Sequence, residues 1–186
     1  DKIDFLFSVS THDFTLGNQA RELAAQDDFY KGYAGRSYNG NMNTSVIRTN
    51  GGKSITVQFD ISSIRPYTRN YLISGNKGIA QKYPEPGRFA NSDQWMGEKE
   101  VKELMEQFQP ELIRKIGELA KKIGGHGGMD FLMDWRTIDC LRNGLPLDQD
   151  VYDAALWSSI APLSARSIAN RSNPITVPDF TRGSWK

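Results

Sequence analysis

Residues 5–11 read F-L-F-S-V-S-T, with Phe5, Phe7 and Val9 alternating against polar or smaller neighbours, and this period of two predicts a half-buried strand. From 15 to 25 the apolar positions Leu16, Ala20, Leu23 and Ala24 recur at three- and four-residue steps, which predicts a short helix with Thr15 or Asp13 at its start. The stretch 27–41 follows neither period. It sets Gly32, Gly35 and Gly40 among Tyr30, Tyr33 and Tyr38, a surface loop anchored by aromatic side chains.

Three strand-like runs come next, at 42–50, 54–62 and 68–74. The first two are joined by Asn50-Gly51-Gly52-Lys53, a hairpin signal because Asn and Gly tolerate positive φ. Gly75 and Gly78 bracket a second turn before a run at 79–83, which Pro84 and Pro86 end because neither can donate to a ladder. The middle of the chain therefore predicts an antiparallel sheet.

Two charged helices follow, at 98–107 and 110–123; in the second, Leu112, Ile113, Ile116, Leu119, Ala120 and Ile123 form one apolar stripe. Glu111 at its start, Lys121 and Lys122 at its end and Gly124-Gly125 beyond suit the helix dipole and a glycine stop. A largely buried helix is expected over 129–143, with Phe131, Trp135 and Ile138 on one face, closed by Gly144 and Pro146. The last helix is capped by Asp150, carries Leu156, Ile160 and Leu163 inward, and is expected to kink at Pro162. A tail at 175–180 can add an edge strand. The order of elements predicts an α+β fold: a large, mostly antiparallel open sheet with helices covering one face.

Length and charge narrow the function. At 186 residues one core is expected, and 23 Lys plus Arg against 22 Asp plus Glu leave a net charge of +1, which gives no field to hold nucleic acid. No apolar run approaches the roughly 20 residues of a membrane span, so no membrane partner is expected. The opening residues, Asp1-Lys2-Ile3-Asp4, lack both a leader pattern and an initiating Met, so the chain reads as a processed or excised piece of something longer. Cys140 is a lone cysteine and cannot form an internal disulfide.

Several chemical motifs fail on spacing. Gly52-Lys53-Ser54 lacks the earlier glycine of a phosphate loop, because Ile47 occupies that position inside a strand. No Gly-x-Gly-x-x-Gly stands between a strand and a helix, so no cofactor-binding residue is assigned here, and His12, His126 and Cys140 are too scattered for a metal site. No nucleophile elbow exists, and no catalytic residue is assigned.

Two segments remain. In Gly124-Gly125-His126-Gly127-Gly128-Met129-Asp130, four glycines free the backbone around one imidazole ahead of a helix N-terminus. That arrangement admits a polar ligand, or else it only turns a corner, with Asp130 as a first-turn acid and His126 exposed. In Ser62-Ser63-Ile64-Arg65-Pro66-Tyr67-Thr68-Arg69, the groups of Arg65, Tyr67 and Arg69 can bind sugar hydroxyls or a phosphate, or form a solvated rim.

The run K-I-G-G-H-G-G-M-D-F-L-M-D-W-R-T-I-D-C-L-R-N-G-L-P-L-D-Q-D-V-Y-D-A from Lys122, the ending V-P-D-F-T-R-G-S-W, and the earlier D-D-F-Y, G-N-M-N-T, R-P-Y-T-R and G-I-A-Q-K-Y-P-E-P resemble the C-terminal part of glycoside hydrolase family 109. These are NAD-dependent α-N-acetylgalactosaminidases of the Gfo/Idh/MocA oxidoreductase superfamily, and the resemblance covers essentially the whole chain. It implies that 1–186 is the substrate and oligomerisation domain and that the Rossmann domain holding NAD is absent. The family chemistry oxidises the sugar at C3, removes the acidified C2 proton, eliminates the glycosidic group, and returns the hydride after water adds. The resemblance places Tyr67 at the sugar, followed by His126 and Asp130, with Arg65 and Arg69 as rim contacts. The family's glycine fingerprint and its sugar-site Tyr and His fall before Asp1, so the isolated chain is expected to be inactive.

The implied partners are a carbohydrate substrate, the chain's own N-terminal nucleotide-binding domain, and a second copy met through the sheet. Alternatives are the same domain in a sugar dehydrogenase, or a carbohydrate-binding or structural module. Localisation stays open; the resemblance implies export to the periplasm of a bacterium.

Overall fold

The chain runs through β1 (Ile3–Ser10), α1 (Leu16–Gln26), β2 (Asn43–Thr49), β3 (Ser54–Phe59), β4 (Leu72–Gly75), β5 (Gly78–Gln81) and β6 (Arg88–Ala90). Then come α2 (Glu98–Phe108), α3 (Glu111–Ile123), α4 (Met129–Asn143), α5 (Val151–Ala169) and β7 (Ile175–Thr176). This computed structural model describes residues 1–83 and 86–184. It divides into two units, the first Asp1–Pro66 with Gln149–Lys186 and the second Tyr67–Asp148. The α+β class expected from the pattern is what the chain adopts.

Unit 1 is an antiparallel sheet in the order β3-β2-β1-β7, covered by α5. Leu6 pairs with Ile47 and Ser8 with Ser45, so alternation puts these four on the face that meets α5. Leu6, Ile47, Leu163 and Val177 are buried together, with Leu156, Ile160 and Ile175 packed against them, the inward face expected of the last helix. Between these apolar side chains runs a buried seam of serines. Ser8 Oγ lies 2.7 Å from Ser45 Oγ and 2.9 Å from Ser164 Oγ, and the Ser8 amide donates to Ser167 Oγ at 2.9 Å. Each hydroxyl satisfies another in a place that water does not reach.

Local chemistry explains the element boundaries. The 50–53 turn forms as expected, with the Gly52 amide donating to Thr49 O at 3.0 Å and Gly52 at φ 83°. At α1 the cap is Asp13, whose carboxylate accepts from the amides of Thr15, Leu16 and Gly17. At α5 the Asp150 carboxylate accepts from the amides of Tyr152 and Asp153, while Asp153 accepts from the Asp150 amide, a reciprocal box. The helix runs through Pro162 as one element. The 27–41 loop contains one short 3-10 turn at Asp28–Gly32.

Unit 2 holds the second sheet, β4-β5-β6, and α2 to α4. The strand expected at 68–74 starts only at Leu72, and the one expected at 54–62 stops at Phe59. Asp60 causes the stop: its carboxylate accepts from the amides of Ser62 and Ser63, which turns the chain out of the ladder. Strand β6 was not foreseen. The run expected at 79–83 is strand β5, which stops at Gln81; Pro84, expected to end it, lies outside the described residues. A correction concerns α4, whose bounds are as expected but which is not largely buried. Cys140 is covered, whereas Met133, Ile138 and Leu141 are exposed; among the described residues the long helix that packs on α4 is α3.

Candidate functional site

The corner between α3 and α4 is built by glycine. Gly124, Gly125, Gly127 and Gly128 all have positive φ, and His126 between them sits at φ 46°, a region side-chain-bearing residues rarely adopt. Gly128 is required twice over, since φ is 98° and a Cβ there would lie 2.6 Å from the backbone carbon of Ala120. Glycine therefore lets the start of α4 touch the backbone of α3. The imidazole of His126 points to solvent, and its Nδ1 lies 2.8 Å from Asp130 Oδ2. This is an exposed His–Asp pair in which the carboxylate orients the ring.

The second candidate segment falls across the unit boundary, which lies between Pro66 and Tyr67. In unit 1, Arg65 folds back and donates from Nη2 to the carbonyl of Asp60 at 3.0 Å. The amide and hydroxyl of Ser63 hold the Asp60 carboxyl below its ordinary value, with smaller help from Ser62 and Arg65. In unit 2, Arg69 lies between two phenols. It donates from Nε to Tyr67 Oη and from Nη1 to Tyr71 Oη, the latter at 3.1 Å. Its guanidinium carbon is 5.4 Å from the Tyr67 ring centre and 5.8 Å from that of Tyr71. The bond to Tyr71 first, then that to Tyr67, raises the Arg69 pKa, so the fork is cationic at any working pH. Tyr71 is itself fixed: its carbonyl accepts from the Lys82 amide at 2.9 Å, one pair beyond the β4–β5 ladder, and its ring lies 6.1 Å from that of Tyr83.

The structure thus brings Tyr67 together with Arg69, and His126 with Asp130. No hydrogen bond, ion pair or ring contact joins the two groups among the described residues. Tyr71 was missed by the sequence reading. The available signal was the alternation Tyr67, Arg69, Tyr71, which places three side chains on one side of an extended segment.

A groove was missed as well. In unit 2, Phe89, Met96, Val101, Met105, Phe108 and Ile113 line an apolar groove of about 1200 Å³. Its sequence signal is the spacing of Val101, Leu104, Met105 and Phe108 on α2. Arg88 forms part of its wall, with its guanidinium carbon 4.5 Å from the Trp95 ring centre and a 2.8 Å bond to Gln81 Oε1. Neither Tyr67 nor His126 lines this groove.

One unit with an antiparallel sheet sealed by a long helix, and one with a second antiparallel sheet and a glycine-cornered helix pair, define an α+β protein. A model of the family described as glycosyl hydrolase 109, C-terminal domain, matches residues 1–186. The chain is 43% identical over 194 residues to a glycosyl hydrolase family 109 protein of Shewanella amazonensis, covering all of this chain and 41% of that relative. It is 48% identical over 153 residues to glycosyl hydrolase family 109 protein 2 of Akkermansia muciniphila, covering 79% and 32%. It is 44% identical over 203 residues to glycosyl hydrolase family 109 protein 1 of Bacteroides fragilis, covering 100% and 42%. The chain belongs to glycosyl hydrolase family 109 and is its C-terminal domain. It spans well under half the length of these curated relatives.

Proposed function

We propose that residues 1–186 are the substrate-binding half of an NAD-dependent glycosidase acting on α-N-acetylgalactosaminides. The observation that carries this reading is the family match along the whole chain. Tyr67 contacts the sugar, His126 and Asp130 offer an oriented imidazole, and Arg65 and Arg69 supply donors at the rim. These groups are chemically apt, because guanidinium, phenol and imidazole all form directed bonds to sugar oxygens.

NAD does not fit the residues of this chain. Every strand pair among the described residues is antiparallel, and the glycine-rich run lies between two helices, whereas a dinucleotide site needs a glycine turn between a parallel strand and a helix. The cofactor is assigned to another part of the parent protein, and the work of residues 1–186 is to bind and orient the sugar.

The sheet of unit 1 pairs with a second copy. On the face away from α5, Phe7 and Val9 are 37% and 52% exposed, an apolar strip that association would cover. Sedimentation as a monomer at high protein concentration overturns this part.

The test of the main reading uses an aryl α-N-acetylgalactosaminide. The isolated chain with NAD is expected to release no aryl alcohol, and the chain joined to the upstream half of the Shewanella amazonensis relative is expected to release it. Release by the isolated chain overturns the assignment to half a cleft. Accumulation of NADH without release identifies a dehydrogenase instead.

A further inference from the structure

We propose that Arg69 is a positioning residue that makes Tyr67 and Tyr71 a matched pair of hydrogen-bond donors for an oxygen carrying no hydrogen of its own. The inference rests on the reading of Tyr67 as a sugar contact.

Donor and acceptor counts fix the direction of both bonds. A guanidinium carries five N–H donors and no acceptor, while a phenol oxygen carries one hydrogen and accepts through its lone pairs. Both bonds from Arg69 must therefore run from nitrogen to phenol oxygen, and neither phenol can turn its hydrogen toward the arginine. Among the described residues, no other group accepts from Tyr67 Oη or Tyr71 Oη. Both side chains are open to solvent, 73% and 51% exposed.

The two hydrogens are thus directed outward from one cationic fork, and the fork polarises both O–H bonds. Such a pair favours a carbonyl, ether or carboxylate oxygen over a hydroxyl, because a hydroxyl's own hydrogen finds no acceptor lone pair as freely available on either phenol. Tyr71 is the fixed end of the device, held by the Lys82 amide and the Tyr83 ring; Tyr67 is the end that Arg69 has to place.

The test uses four variants of the parent protein in the aryl-glycoside assay: Tyr67→Phe, Arg69→Gln, Arg69→Lys, and Tyr67→Phe with Arg69→Gln. Glutamine keeps polarity and some length but carries a carbonyl that can capture the phenol hydrogens, whereas lysine remains a pure donor. Tyr67→Phe and Arg69→Gln are each expected to raise KM about tenfold with kcat unchanged, the size of one good hydrogen bond. Arg69→Lys is expected within about threefold of the unmodified protein. The double variant is expected to be no worse than the worse single, since the two residues act as one unit.

If Tyr67→Phe leaves KM unchanged, the sugar-site reading itself falls. If Tyr67→Phe raises KM while Arg69→Gln does not, that reading stands and the positioning role falls. Equal effects of Arg69→Lys and Arg69→Gln overturn the donor argument. A lowered melting temperature with KM unchanged in Arg69→Gln makes the role structural and overturns it as well.

Discussion

Unit 1 closes Leu6, Ile47, Leu163 and Val177 into one buried cluster, whereas unit 2 buries no side chain larger than that of Cys140 among its described residues. The first is held by ordinary core burial. The second has a close approach at one corner, where Gly128 lets the start of α4 meet the backbone of Ala120, and it leaves its large apolar side chains half covered. The unit with the weaker core is also the one that carries Tyr67, Arg69, His126 and Asp130. These proposed site residues stand on a glycine corner, the first turn of α4 and an irregular segment, set by hydrogen bonds and glycine geometry.

The largest effect that tests this contrast comes from Leu6, which is fully buried between Ile47 and Leu163. Leu6→Ala is expected to cost about 3 kcal/mol, the transfer and cavity terms together. Met105→Ala in unit 2, at a side chain 61% exposed, is expected to cost under about 0.5 kcal/mol. Urea unfolding of both variants checks this, and equal costs would erase the distinction between the units.

Next in size is Gly128→Ala, expected to destabilise unit 2 by about 2 kcal/mol, because it combines left-handed strain with a Cβ at 2.6 Å from Ala120 backbone. Gly127→Ala has φ 71° but nothing within 4 Å of its new Cβ, and about 1 kcal/mol is expected. Hydrogen exchange of the α3 and α4 amides, compared with those of β1 and β2, shows whether the loss stays in unit 2. An equal cost for the two glycines would mean that strain alone, and not close approach, sets the corner.

These two glycines also show what could be read without coordinates. The bounds of α4 were legible because glycine flanks it on both sides, and the 50–53 hairpin because Asn-Gly-Gly admits positive φ. Both are local backbone statements. Covering of α4 was not legible, since an apolar face says that something can pack there and not what does. Strand β6 has three residues, too few to show a period of its own, and only its pairing with the nearby β5 makes it a strand. At the site, Tyr67 and Arg69 were found as neighbours of one motif, yet the part played by Tyr71 depends on the β4–β5 ladder that fixes it. The outward turn of His126 was one of the two readings of the glycine run, whereas its 2.8 Å contact with Asp130 was not read.

A smaller effect tests the serine seam. Ser164→Ala is expected to cost about 1 kcal/mol, because Ser8 and Ser45 lose a shared partner in a buried place but keep each other at 2.7 Å. Ser159→Ala on the same helix loses only a bond to the Leu156 carbonyl and is expected to be near neutral. A thermal melt of both variants separates a seam that fixes α5 from polar decoration.

The smallest expected effect compares two carboxylates, one in each unit. The Asp179 carboxylate accepts from the Thr181 hydroxyl at 2.7 Å, the amides of Thr181 and Gly183 at 3.0 Å, and Lys2 Nζ at 3.1 Å. The Thr181 hydroxyl, then Lys2 and the amides, hold its pKa below the ordinary 3.8. In unit 2 the Arg136 fork, with bonds of 3.0 and 3.1 Å, does the same for Asp148. A carboxyl whose folded pKa is depressed stabilises the fold at pH above its unfolded value and loses that contribution as pH falls through the folded value. Both contributions are therefore complete at neutral pH and disappear below about pH 4. Asp179 ties the end of unit 1 to its first strand through Lys2, whereas Asp148 ties the loop after α4 back to that helix. Asp179→Asn is expected to flatten the acid side of the melting curve monitored on unit 1 amides, and Asp148→Asn that monitored on unit 2 amides. If either substitution flattens both, the two units do not unfold as separate bodies, and the contrast drawn from their cores describes packing but not cooperativity.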